Sequence, residues 1–144
     1  MKKLISICLL VMLFIPAQNK GHDIDYISLY ERYRQESILE AIIAIESRGD
    51  VFILNPRENA AGILQIRPIM VKDVNRILGI DKYGFQDRFD KSKSIEMFNV
   101  YQGYYNPGLN PEKAARIWNG GPNGMNKKST EVYYKKFLKE WTVF

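Results

Sequence analysis

Residues Ser37 to Gly49 (SILEAIIAIESRG) constrain this 144-residue chain more than any other stretch. Ser37-Ile38-Leu39-Glu40 has the form of a capping box, in which Ser37 caps a helix start and Glu40 reaches back to the Ser37 N–H. Gly49 is a natural residue just past a helix end. The helix predicted between them runs from Ile38 to about Ser47. Advancing roughly 100° per residue from Ile38 puts Ile42 near ~40°, Leu39 near ~100° and Ile43 near ~140°. Glu46 falls near ~80°, in the middle of that apolar arc, whereas Glu40 and Ser47 fall on the polar side, near ~200° and ~180°. A helix that buries this face carries a carboxylate inward with it.

Burying a carboxylate is unfavourable unless it is paired or protonated. Glu46 also lies in the last turn, where the helix dipole disfavours an anion. Both effects raise its pKa. A carboxylic acid held partly protonated near neutral pH is what general-acid catalysis on a glycosidic oxygen requires. The structural alternative is a Glu46 neutralised by Arg48, Arg57 or Arg67, and the pattern alone leaves it open.

The remaining chemistry is bounded by what the chain lacks. Cys8 is the only cysteine and His22 the only histidine, which excludes a disulfide scaffold and a Cys- or His-based metal cluster. No cofactor is expected. At 46% hydrophobic and 26% charged residues the composition is that of one folded domain. Met1-Lys2-Lys3 followed by the apolar run Leu4 to Pro16 has the build of a secretory signal peptide, with a cut expected near Ala17. The run is short for a membrane span, which needs about 20 residues. A retained N-terminal anchor is the alternative. The expected organisation is thus a signal peptide over 1–17 and one domain over 18–144, exported to the periplasm or cell envelope. The net charge of +5 is scattered, with Lys127-Lys128 and Lys135-Lys136 as isolated doublets, which disfavours a nucleic-acid binder.

The fold class expected is mainly α, an α+β arrangement with a small β or irregular insert. His22 to Arg34 is expected to hold a short helix ahead of the capped one. Pro68 suits a first helical turn and Gly79 a stop, predicting a helix between them. Ser92 to Tyr105 reads as another, ended by Asn106-Pro107-Gly108. Asn110-Pro111-Glu112 is an N-cap, a first-turn proline and a first-turn acid, opening a helix to Trp118. Asn119 to Asn126 is a turn-rich loop, and Ser129 or Thr130 starts a last helix to about Trp141. Between the first two helices, Phe52-Ile53-Leu54 and Ile63-Leu64-Gln65-Ile66 read as short strands.

Around Glu46, Ala44-Ile45-Glu46-Ser47-Arg48-Gly49 resembles the "ES-G" segment of the soluble lytic transglycosylase (SLT) family, relatives of goose-type lysozyme. Ala61 to Pro68 (AGILQIRP) resembles that family's "GLMQ-I-P" segment. Ile117-Trp118-Asn119-Gly120-Gly121 resembles its "AYN-G" segment, and Thr130-Glu131-Val132-Tyr133-Tyr134 its "ET--YV" segment. The four fall in family order over nearly the whole domain.

The resemblance implies a lysozyme-like fold with a glycan cleft, and peptidoglycan strands as the partner of a monomeric enzyme. Glu46 would be the single catalytic acid/base, cleaving the bond between N-acetylmuramic acid and N-acetylglucosamine with closure of a 1,6-anhydro ring. Ser47, Gln65, Trp118, Asn119 and Tyr133 would line the substrate site, with Trp118 stacking on a sugar face where the family has tyrosine and Tyr133 reaching toward Glu46. Gln65 can equally brace the insert, and Asn119 can equally end a helix. The glutamate of "ET" is Ser129 here, so whatever that acid orients is held differently. Hydrolysis would need a second carboxylate, for which Asp50 and Glu58 are the candidates. A catalytically silent glycan-binding protein is the rival from another class. A secretion, conjugation or pilus machine is a compatible partner, with no docking segment evident.

Overall fold

The computed structural model describes residues 25–141. Five helices carry the domain: α1 (Tyr26–Glu46), α2 (Pro68–Leu78), α3 (Lys91–Tyr105), α4 (Pro111–Gly120) and α5 (Thr130–Trp141). A two-stranded antiparallel ribbon, β1 (Leu54–Asn55) and β2 (Ala60–Ala61), lies between α1 and α2, with Leu54 opposite Ala61 and Asn55 opposite Ala60. Short 3₁₀ turns at Phe85–Phe89 and Gly124–Asn126 precede α3 and α5. The class is the mainly α one expected, with its small β insert. The expected signal peptide lies outside the described residues. Among the described residues no helix is long and apolar enough to cross a membrane.

Local signals set most boundaries. The Asn110 side chain accepts from Lys113 N–H and caps α4 ahead of Pro111. Pro68 opens α2, and Gly79, left-handed at φ +70°, closes it. The start of α1 departs from expectation. The helix is continuous from Tyr26, capped by the Asp25 carboxylate on the N–H groups of Ile27 and Ser28. Ser37 is therefore no cap. Its hydroxyl turns back to the Arg34 carbonyl and accepts from Trp141 Nε1 at 3.0 Å. Back-bonding of this kind is compatible with helical backbone, and no Gly or Pro interrupts the turns before it. α4 runs on to Gly120, so Asn119 lies inside the helix rather than in the loop.

α1 packs antiparallel to α5, with Ser37 beside Trp141 at one end and Glu46 beside Tyr133 at the other. α4 contacts both, and α2 pairs with α3. The core they share takes Ile38 and Ile42 from α1, Val71 and Val74 from α2, Met97, Phe98 and Tyr101 from α3, Ile117 and Trp118 from α4, and Phe137 from α5. Leu64 and Ile66 plug the insert into it.

The insert is a loop held by backbone bonds more than by sheet. The expected strand at Ile63–Ile66 is instead a turn, from which Ile66 returns to make an isolated bridge with Ala61. Arg88 secures it from below. Its guanidinium is buried and donates to the carbonyls of Asn59, Ile66 and Phe85. Carbonyl partners offset the burial of that charge. Gly62 sits against the same strap, with φ +75° and no room for a Cβ, which would run into the Arg88 carbonyl.

Candidate active site

Glu46 is the last residue of α1, half-buried where α1, α5 and the insert meet. The Tyr133 hydroxyl donates to Glu46 Oε1 at 2.7 Å. Tyr133 is itself 8% exposed, and its burial, with Glu46 beside it, holds the phenol well above its usual pKa. It remains a donor at any working pH. No ion pair forms with Glu46 among the described residues, so the neutralising-arginine alternative is not what this geometry shows. Burial pushes the Glu46 carboxyl up from 4.5 to about 7, and the Glu58 charge adds to that rise. The Tyr133 hydrogen bond and the charges of Arg67 and Lys136 oppose it. A carboxyl with this pKa can give a proton and take one back near neutral pH.

The other expected site residues meet four different ends. Tyr133 is brought onto Glu46, the contact that the family resemblance implied. Ser47 and Gln65 are both engaged internally. Ser47 is buried, against the polar-side placement read from the helical period. It is the C-cap, with φ −144°, and has already left the helical register. Its hydroxyl donates to the Ile63 carbonyl at 2.7 Å and accepts from Gly49 N–H, tying α1 to the insert. The Gln65 amide donates to the carbonyls of Ile53 and Gly62 from a left-handed residue at φ +47°. That is the bracing role, one of the two read for it. Trp118 is not placed to stack on a sugar, since its ring is 3% exposed and packs on Phe98 at 5.0 Å and edge-on to Tyr101 at 5.9 Å. Asn119 is exposed beside it, and its carbonyl accepts from Arg67 Nη2 at 3.2 Å.

The two candidates for a second carboxylate also separate. Asp50 accepts from Phe52 N–H at 2.8 Å in its own turn. Glu58 acts on Glu46 through space and faces Arg67, its Oε2 lying 4.0 Å from Arg67 Nη1. Lys136 belongs to the same neighbourhood and was not among the expected site residues, although it lies three residues from Tyr133 and so on the same side of α5.

A carboxyl of this kind, at the junction of a helical core and a short insert, is what an acid/base glycan-cleaving domain needs. The family model of the Transglycosylase SLT domain matches residues 28–140 of the chain. The chain belongs to this family. Comparison with curated proteins returns no match. The matched stretch of the SLT domain holds all four of the sequence segments that resembled it, together with Glu46 and Tyr133. Membership makes the fold a mainly α, lysozyme-like one and supports lytic transglycosylase activity on peptidoglycan. No cluster of three or more His, Cys, Asp or Glu is placed to hold a metal among the described residues.

Proposed function

We propose that this SLT domain cleaves the β-1,4 bond between N-acetylmuramic acid and N-acetylglucosamine with Glu46 as its single acid/base, in the periplasm or cell envelope after export. The observation that carries the reading is the Glu46–Tyr133 pair, a half-buried carboxyl with a pKa of about 7 oriented by one short hydrogen bond. Glu46 gives its proton to the glycosidic oxygen as the bond from that oxygen to the muramic anomeric carbon breaks. The muramic 6-hydroxyl then attacks the anomeric carbon, and its proton passes to the Glu46 carboxylate. The 1,6-anhydro ring closes, the acid is restored, and no water is consumed. The sugar's 2-acetamido group can assist at the anomeric carbon, so a second carboxylate is not required.

Mass analysis of the fragments released from purified peptidoglycan tests this. Anhydro-ended products, one water lighter than hydrolysis products, are expected. Reducing-end products would instead show a muramidase, and Glu58 would be the carboxylate to examine, because it alone of the two candidates stands in the electrostatic reach of Glu46. No fragments at all would favour a silent binding domain.

Tyr133→Phe separates the role of the hydrogen bond from that of the acid. The bond lowers the Glu46 pKa, so its loss raises that pKa further and moves the alkaline limb of the pH–rate profile upward. Turnover should drop by roughly tenfold, the scale of losing one hydrogen bond to a charged group. A limb that stays in place would mean that Tyr133 does not act on Glu46 during the reaction.

A further inference from the structure

Charge reaches Glu46 from three separate elements. Arg67 is the residue just ahead of α2, Glu58 lies in the turn between β1 and β2, and Lys136 is exposed on α5. Arg67 reaches from α4 to the insert. Its Nη2 is fixed to the Asn119 carbonyl on α4, and its Nη1 faces Glu58 on the insert at 4.0 Å. The Arg67 and Glu58 side chains are 36% and 58% exposed. An ion pair this long and this wet contributes little to stability, so another carboxylate displaces Glu58 at small cost. The guanidinium meanwhile keeps its Nη2 arm anchored, which holds its plane in place and leaves the Nη1 side of the fork facing the incoming group. A neutral polysaccharide can accept from those N–H groups but brings no charge to meet them. Peptidoglycan strands carry carboxylates, on the muramic lactyl group where the peptide is absent and on the peptide where it is present.

We propose that Arg67 is a substrate-recognising residue that exchanges Glu58 for a carboxylate of an acidic glycan strand lying over Glu46. The proposal rests on the glycan-cleaving reading given above. It makes the domain selective for acidic strands over neutral chains of the same backbone, with Lys136 adding to the positive field at Glu46.

Binding is best measured in the Glu46→Gln background, where no turnover consumes the ligand. The probes are soluble peptidoglycan strands bearing peptides, the same strands stripped of peptide, and a neutral N-acetylglucosamine oligomer of equal length. Adding Arg67→Met should raise the Kd for acidic strands by roughly tenfold, the scale of one charge-assisted hydrogen bond, and leave the neutral oligomer unchanged. Arg67→Lys, which keeps the charge without the fork, should fall between. Glu58→Gln should tighten acidic binding severalfold by removing the competitor. A loss confined to stripped strands assigns the lactyl carboxylate, and one confined to peptide-bearing strands assigns the peptide's. Equal loss on the neutral oligomer, no loss anywhere, or weaker acidic binding by Glu58→Gln would overturn the proposal. Failure of the underlying reading looks different: the parent protein releases no fragments from peptidoglycan, whatever its binding preference.

Discussion

Glu46→Gln is expected to abolish turnover, by at least about 10³-fold for loss of a sole general acid/base, and yet to leave the domain more stable than the parent above neutral pH. The amide keeps the shape, and its carbonyl can still accept from the Tyr133 hydroxyl that now binds Oε1. What it removes is the titration. Glu46 ionises near 4.5 in an unfolded chain and at about 7 in the folded one, so between those values the folded state holds the extra proton. Parent stability therefore falls as pH rises through that window and levels off above it. Glutamine has no such dependence. The variant's advantage should vanish below pH 4.5, grow through the window and plateau above pH 7. Its upper limit is about 3 kcal/mol, which is roughly 10 °C in Tm for a domain of this size. Melting curves at acid and alkaline pH, paired with fragment release from peptidoglycan, check both halves. Turnover near the parental level would remove Glu46 as the acid. A pH-independent difference in Tm would mean that its carboxyl is not held protonated.

Trp118→Ala should act on stability rather than on glycan contact. The indole is 3% exposed and fills the space between Phe98 and Tyr101, both buried on α3. Truncating a ring so placed leaves a cavity and costs about 3–5 kcal/mol. That is a large share of the 5–15 kcal/mol or so that holds a domain together. Denaturant unfolding should show a lowered midpoint, with Trp118→Phe losing less. Unchanged stability with weaker glycan binding would instead make the ring a stacking surface for sugar.

That contrast shows how the site divides. Glu46 was legible because α1 keeps its period through the last turn, so the apolar arc pointed the carboxylate inward before any neighbour was known. Ser47, one residue on, was misplaced because the C-cap abandons that period. Tyr133 came from its motif, but nothing local said that its hydroxyl lands on Oε1, because 87 residues separate the two. Arg67 was legible only as one of three arginines that could neutralise Glu46. Its grip on the Asn119 carbonyl spans 52 residues.

The same line runs through the fold. Asn110 with Pro111, Pro68 and Gly79 set helix ends by themselves, because caps, proline and left-handed glycine act over a few bonds. The capping box at Ser37 did not, because the turns before it were already helical and Trp141 supplied its hydroxyl with a partner from the far end of the chain. The insert is the extreme case, a stretch with little sheet whose shape depends on the buried Arg88 beneath it. Sequence by itself determined the helices, the class and the inward carboxylate, all consequences of short-range periodicity and capping. Only the tertiary structure decided what surrounds that carboxylate, because burial and through-space charge come from residues far apart in the chain.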